Sequence, residues 1–252
     1  MFYRKRIADL GFGLMSEGWS SCYEASADST IDEFLLKRWY RLVFYLLELA
    51  DVPFSRGTRV LEVGCGRGGF CVFASSVGAE VVGLDLAKPA LRSAGKTGLG
   101  FFLLADACSL PFERGQFDVV VCADVLEHVN CYERAFAEIS RVCKKGGYLV
   151  FTTPTRTNIT QIFAPFFLFR KRFGMSESQP ADVNSFSLPK LKLLCEQNNL
   201  KVLFERGIGI FWVPTRSRRI AMLLGRLEKP VSKFRNLCIN IGVIAQKSGN
   251  IG

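Results

Sequence analysis

Thr58-Arg59-Val60-Leu61-Glu62-Val63-Gly64-Cys65-Gly66-Arg67-Gly68-Gly69-Phe70 is the stretch on which the reading of this chain turns. Thr58–Val63 reads as a strand and Gly68–Val77 as a helix, with a glycine-rich turn between them. Glycines permit the sharp turn and let backbone N–H groups come close to a ligand. Outward from this unit the alternation continues. Glu80–Asp85 reads as a strand, Pro89–Gly95 as a helix, and Gly100–Leu104 and Phe117–Ala123 as strands. Tyr132–Cys143 reads as a helix that ends at Lys144-Lys145-Gly146-Gly147, basic residues followed by glycine as helix C-termini favour. Tyr148–Thr153 is a fifth strand, stopped by Pro154. Near-continuous apolar strands alternating with helices predict an α/β fold, a parallel sheet covered on both faces.

Upstream, residues 31–50 place Phe34, Leu35, Trp39, Leu42, Val43, Leu46 and Leu47 at helical spacing. Thr30 or Asp32 would cap this helix, and Asp51 and Pro53 would end it. Downstream the rhythm breaks over residues 154–186, where the apolar run Ile162–Phe169 precedes Arg170-Lys171-Arg172 and a polar loop, Ser176–Asn184. It resumes with Leu188–Asn198 as a helix and Leu200–Glu205 as a strand. Residues 215–237 are basic and helical in character, and Leu237–Gln246 is the last strand. Residues 154–186 and 207–236 read as insertions over the sheet edge, so one domain is expected over residues 1–252. Within it, residues 1–57 form a helical cap, 58–153 the binding core, and 154–252 the insertions and last strands.

Of 252 residues, 49% are hydrophobic and 22% charged, near the globular average, which argues against wholesale disorder. No apolar run is long enough to cross a bilayer, and Met1–Leu14 lacks the apolar stretch of a secretory signal. Nine scattered cysteines without a CxxC pair predict free thiols in a reducing, cytoplasmic setting and no structural zinc. His128 is the only histidine, so no metal site is expected. The net charge of +10 is uneven: residues 151–252 carry sixteen basic and five acidic side chains, whereas residues 51–150 carry eleven of each. That asymmetry points to an anionic partner for the C-terminal part, or to a solvated basic surface.

Gly64, Gly66 and Gly69 also satisfy GxGxxG, and Asp85 follows about 20 residues on, where an acid binds a ribose in dinucleotide enzymes. A nicotinamide-dependent oxidoreductase, or a turn with no ligand, would fit this stretch alone. Further elements separate these readings: Asp106 with Leu110-Pro111-Phe112, the strand Phe117-Asp118-Val119-Val120, Leu126-Glu127-His128-Val129, and Lys145-Gly146-Gly147-Tyr148-Leu149-Val150. Their order and spacing resemble class I S-adenosylmethionine-dependent methyltransferases, in the broad type 11 group that also resembles quinone-biosynthesis enzymes. The resemblance covers residues 58 to 153. It implies a Rossmann-like, seven-stranded, mostly parallel sheet with helices on both faces and helical insertions near the C-terminal strands.

The resemblance also implies roles. Glu62, Gly64, Cys65, Gly66 and Gly68 match the motif that cradles the methionine end of S-adenosylmethionine. Asp85 matches the acid that accepts the ribose hydroxyls, and Leu86 the apolar contact beside the adenine. Asp106 matches the acid near the adenine amino group, with Ala107 giving a backbone N–H, and Asp124 and Val125 match the residues lining the methyl. The N-terminal helix resembles a lid, in which Arg38 or Arg41 would pair with the donor carboxylate or lie solvated. A sulfonium methyl is already activated, so transfer is mainly a matter of positioning and needs no metal. If the acceptor is a hydroxyl, a base must take its proton. His128 and Asp124 are the candidate catalytic residues; His128 would otherwise pack beneath the donor.

The fourth strand lacks the Asn/Asp-Pro-Pro-aromatic element of base N-methyltransferases, and no cysteine pair of pyrimidine-C5 enzymes is recognisable, which disfavours nucleic acid. A small-molecule acceptor remains. Phe163, Phe166, Phe167, Phe169 and Phe173 lie beside Arg170, Lys171 and Arg172. Ile208, Ile210, Phe211, Trp212 and Val213 precede Arg216, Arg218 and Arg219. Such pairs suit an apolar or amphipathic acceptor, peripheral contact with an anionic membrane, or simple cover for the sheet edge. The expected activity is methyl transfer to such an acceptor, with oxygen favoured over carbon or nitrogen. A donor-binding scaffold without catalysis at a membrane is the non-enzymatic alternative, and oligomeric state is not read.

Overall fold

The computed structural model describes residues 40, 42–76, 78–155, 184–209, 232 and 238–249. Helix α1 covers residues 42–49 and is followed by β1 (Arg59–Val63), α2 (Gly69–Ser76), β2 (Glu80–Asp85), α3 (Lys88–Gly95) and β3 (Phe101–Leu104). Then come β4 (Phe117–Ala123), a 3-10 turn (Leu126–His128), α4 (Tyr132–Val142), β5 (Cys143–Pro154), α5 (Leu188–Gln197), β6 (Leu200–Ile208) and β7 (Asn240–Lys247). The seven strands form one sheet in the order β3-β2-β1-β4-β5-β7-β6. All pairings are parallel except those of β7, which runs antiparallel between β5 and β6.

Each face of the sheet buries its own apolar layer. Val60, Val81, Val119, Val121, Val150 and Ile244 pack under α1 and α2. Leu61, Val63, Val120, Leu149 and Val243 pack under α4 and α5. Side chains alternate between faces along a strand, so a centre strand covered on both sides is apolar at most positions. In α4, Ala135, Phe136, Ile139 and Val142 are buried at helical spacing. Phe136 stacks on Phe151 with ring centroids 4.5 Å apart. Truncating such a ring to alanine typically costs about 3–5 kcal/mol.

Three expectations change. The fifth strand begins at Cys143, not Tyr148, because Cys143 pairs with Phe117 and a register shift before Val119 absorbs the added residues. Lys144-Lys145-Gly146-Gly147 therefore belongs to the strand, where Lys144 Nζ meets Asp118 Oδ1 at 2.6 Å, and does not cap α4. The carbonyls at the end of α4 are instead taken by Lys247, whose ammonium donates to Ser140, Arg141 and Cys143. The expectation of free thiols also fails for one pair: Cys108 and Cys131 form a disulfide between the loop after β3 and the start of α4. Among the described residues, six other cysteines are buried thiols outside any disulfide. The expected helix over residues 31–50 is described from residue 40, and its caps at Thr30 or Asp32, with Arg38 and Arg41, lie outside the described residues. The aromatic and basic clusters at 163–173 and 210–219 lie outside them too.

Candidate active site

The order in which strands are added reverses between the parallel neighbours β1 and β4: β2 and β3 lie on one side of β1, and β5 on the far side of β4. Helices on opposite faces splay apart at such a point and leave a crevice at the strand C-termini. The glycine loop closes there. Gly64 N and Cys65 N both donate to Leu84 O, at 2.8 and 2.9 Å, which ties the turn to β2. Gly64, Gly66 and Gly68 all have positive φ (74°, 52° and 80°). Space separates their demands. A Cβ at Gly64 would collide with the Val125 side chain, and one at Gly68 would meet the Phe102 ring at 3.0 Å, whereas one at Gly66 would meet nothing within 4 Å. Gly66 therefore faces open space, and the other two pack against protein.

Asp85, at the end of β2, accepts hydrogen bonds from Gly66 N and Ala87 N, each at 2.8 Å. One carboxylate thus fixes the glycine turn and the entry to α3, and its remaining lone pairs stay available to a ligand. Leu86 beside it is 67% exposed. Ala105 N donates to Asp85 O, which brings the β3 loop alongside. There Asp106 is exposed, its Oδ1 accepting from Cys108 N at 2.8 Å, and Ala107 is buried.

Glu62 projects from β1 beneath the helices and is 1% exposed. Its carboxyl accepts from the Cys71 thiol at 2.9 Å and the Tyr40 hydroxyl at 3.4 Å. Burial pushes its pKa from 4.5 up to about 8, an effect these hydrogen bonds reduce and the charge of Asp85 adds to. The hydrogen bond with Cys65, burial and the adjoining Glu62 raise the Cys71 thiol well above the ordinary range. Cys65 and Cys71 crowd Gly83 of β2, where any Cβ would lie within 3 Å of both sulfurs.

Asp124 follows β4 with a left-handed φ of 53°, a conformation disfavoured for a residue with a side chain. Its backbone N donates to Thr152 O at 2.9 Å. Oδ1 accepts from Thr152 Oγ1 and Oδ2 from Asn240 Nδ2, both at 2.7 Å. These bonds make Asp124 a fixed brace for Val125, which packs on Gly64; a proton-transfer role would have to disrupt them. His128 sits on the following turn, exposed, its N donating to Val125 O. Glu127 next to it is buried and accepts from Thr153 Oγ1 at 3.3 Å.

The structure thus brings Glu62, Gly64, Cys65, Gly66, Gly68, Asp85, Leu86, Asp106, Ala107, Asp124, Val125 and His128 to one end of the sheet. Sequence reading missed Tyr40, Gly83, Thr152, Thr153 and Asn240. Only Gly83 carried a signal, as a glycine inside an apolar strand, which marks close approach.

A family model described as a methyltransferase domain matches residues 61–151. A ubiquinone biosynthesis O-methyltransferase from Bordetella bronchiseptica is 36% identical over 114 residues, 43% of this chain and 47% of that protein. A demethylmenaquinone methyltransferase from Thermus thermophilus is 33% identical over 167 residues, 58% of this chain and 76% of that protein. The chain spans about half the length of the Bordetella relatives it matches. A solved structure from Thermotoga maritima, described as an S-adenosylmethionine-dependent methyltransferase and possible histamine N-methyltransferase, has a TM-score of 0.60 at 19% identity. It covers 91% of this chain and 100% of its own, and that likeness bears on the fold alone.

Proposed function

The chain belongs to the class I S-adenosylmethionine-dependent methyltransferases, and on that premise we propose that it methylates a hydroxyl of a small, ring-bearing acceptor of the quinone-precursor type. The observation that carries this reading is the Asp85 carboxylate held by Gly66 N–H and Ala87 N–H at the C-terminal ends of β1 and β2, with Leu86 exposed beside it. A ribose hydroxyl pair fits the free lone pairs of that carboxylate, and the space over Gly66 admits a ligand that a side chain would exclude. Bound there, S-adenosylmethionine supplies a sulfonium methyl group.

The residues of the chain do the rest. Asp85 holds the ribose, Leu86 and Ala107 flank the adenine, and Asp106 accepts from its amino group. Glu62, buried beneath the turn, stands near the ammonium at the methionine end. Asp124, immobilised by Thr152 and Asn240, sets Val125 and the loop beside the methyl. His128 accepts the acceptor's hydroxyl proton and, being exposed, returns it to water. The two named relatives support a quinone-type acceptor; one is an O-methyltransferase by name.

Two measurements test this. S-adenosylhomocysteine should raise the melting temperature of the protein, and reduced nicotinamide cofactor should show no fluorescence change on mixing. A deletion strain should then accumulate a metabolite one methylene lighter than its wild-type counterpart. No stabilisation by S-adenosylhomocysteine would sink the reading; stabilisation without any accumulated precursor would favour a donor-binding scaffold.

A further inference from the structure

We infer that Cys108 and Cys131 form a reversible thiol–disulfide switch that sets how tightly the site holds its donor. The inference rests on the methyltransferase reading above and adds the regulation of that site. The bond joins the loop after β3 to the loop after β4, and β2 and β1 lie between those two strands in the sheet. Cys108 follows Asp106 by two residues, and its own backbone N donates to the Asp106 carboxylate at 2.8 Å. Cys131 precedes α4 and follows His128 by three residues. The crosslink therefore closes a ring over residues 108–131 that contains β4, Asp124, Val125 and His128. One bond ties the adenine end of the crevice to the loop at its methyl end.

The two sulfurs differ in access. Cys131 is exposed, whereas Cys108 is buried, as are the six described cysteines outside the bond. Among the described cysteines, a dissolved thiol or disulfide therefore reacts at Cys131. The open state has a place for its buried thiol: Cys108 Sγ lies 3.5 Å from Cys131 O, an acceptor for the S–H. Opening the bond also leaves both loops tethered. Ala105 N donates to Asp85 O, Leu110 N to Glu138 Oε2, and Arg141 to Leu110 O. Across the crevice, Asn184 Nδ2 donates to Val129 O at 2.6 Å. What reduction frees is the stretch 106–109, which carries Asp106 and Ala107, while the fold around it stands.

The exchange balances with a low-molecular-weight disulfide, R–S–S–R, as oxidant. The Cys131 thiol gives up its proton, attacks one sulfur of R–S–S–R and releases a thiolate, which takes up a proton. Cys108 then attacks the Cys131 sulfur of the mixed disulfide, loses its proton and releases a second RSH. Two protein thiols are oxidised and one R–S–S–R is reduced to two RSH; two RSH run the same steps backward, entering at Cys131. Fixing residues 106–109 before the donor arrives removes an ordering cost from binding, so the disulfide form is the tighter binder. The coupling is reciprocal: the donor favours the disulfide by the factor by which the disulfide favours the donor.

The test sets the state with glutathione and glutathione disulfide and reads it by alkylation and mass spectrometry of Cys108 and Cys131. S-adenosylhomocysteine should bind the disulfide form roughly fivefold or more tighter than the dithiol form in calorimetry. Saturating S-adenosylhomocysteine should move the thiol–disulfide midpoint toward the disulfide by the same factor, about 20 mV for a fivefold change. Cys131→Ser should bind with the affinity of the dithiol form under both conditions. Comparing two states of the wild type needs no substitution and stands whether or not Cys131→Ser folds. Equal affinities, tighter binding by the dithiol form, a midpoint that ignores the ligand, or a bond that glutathione neither makes nor breaks would each overturn the inference. If S-adenosylhomocysteine binds neither state, the methyltransferase reading has failed and the switch falls with it.

Discussion

Replacing Glu62 by glutamine should make the ligand-free protein more stable while harming its binding of the donor. Glu62 is raised from 4.5 to about 8, principally by burial. An acid whose pKa is higher folded than unfolded costs nothing below pH 4.5, where both states hold the proton. Between pH 4.5 and 8 the unfolded chain ionises and the folded one does not, so stability falls as pH rises, by about 1.4 kcal/mol per unit. The accumulated penalty is under about 1 kcal/mol at pH 5, roughly 3 kcal/mol at pH 7 and roughly 5 kcal/mol above pH 8. Glutamine has nearly the same shape, keeps a carbonyl for the Cys71 or Tyr40 donor, and cannot ionise. Losing one of those two hydrogen bonds returns about 1 kcal/mol. A net gain of about 2 kcal/mol at pH 7 raises the melting temperature by roughly 4–8 °C for a chain of this size. Urea or thermal unfolding of both proteins at pH 5, 7 and 8.5 measures it. A stability difference that stays flat over that range would show that Glu62 does not hold its proton in the fold, and the argument from burial would be wrong.

Asp85→Ala removes the acceptor of two backbone N–H groups and of the ribose hydroxyls; with charge-assisted bonds at roughly 1.5–3 kcal/mol each, donor affinity should fall at least about tenfold in calorimetry. Gly64→Ala and Gly66→Ala should separate cleanly. The first meets Val125 and should lower the melting temperature most, while the second strains only its own φ and should chiefly weaken S-adenosylhomocysteine binding in a thermal-shift titration. His128→Ala should leave the melting temperature near wild type, because the side chain is exposed, and lower turnover on the identified acceptor by roughly 10²–10⁴-fold with donor affinity unchanged. A parallel loss of donor affinity would assign His128 to donor binding.

What the sequence disclosed was what neighbours in sequence decide. Val119–Cys122 announced a strand by unbroken apolarity and Val60–Val63 by apolar residues interrupted only at Glu62, and Gly64, Gly66 and Asp85 announced a nucleotide-type turn because strand, turn and acid follow within one β-α-β unit. The start of β5 was hidden because Lys144 and Lys145 carry the signs of a helix end. Their strand role depends on Asp118 and Phe117, about 26 residues earlier, being placed opposite them. Asn240 was hidden more deeply. Its strand was legible, but its place next to β5 and its reach to Asp124, a separation of 116 residues, exist only once β7 has inserted against the direction of its neighbours. The Cys108–Cys131 disulfide was hidden for the same reason: it joins two loops that meet only at the crevice.

The insertion of β7 between β5 and β6 has a consequence for synthesis. A chain leaving the ribosome forms its N-terminal units first. The glycine loop, β2 and β4 can associate early, but Asp124 lacks the Asn240 amide until that residue has emerged, and α4 lacks the ammonium that covers its last carbonyls until Lys247 has. Donor-binding parts thus exist on the nascent chain well before the residue that fixes the methyl end. A ribosome-tethered chain stalled short of Asn240 would hold Asp124 from the Thr152 side but without its amide partner on β7.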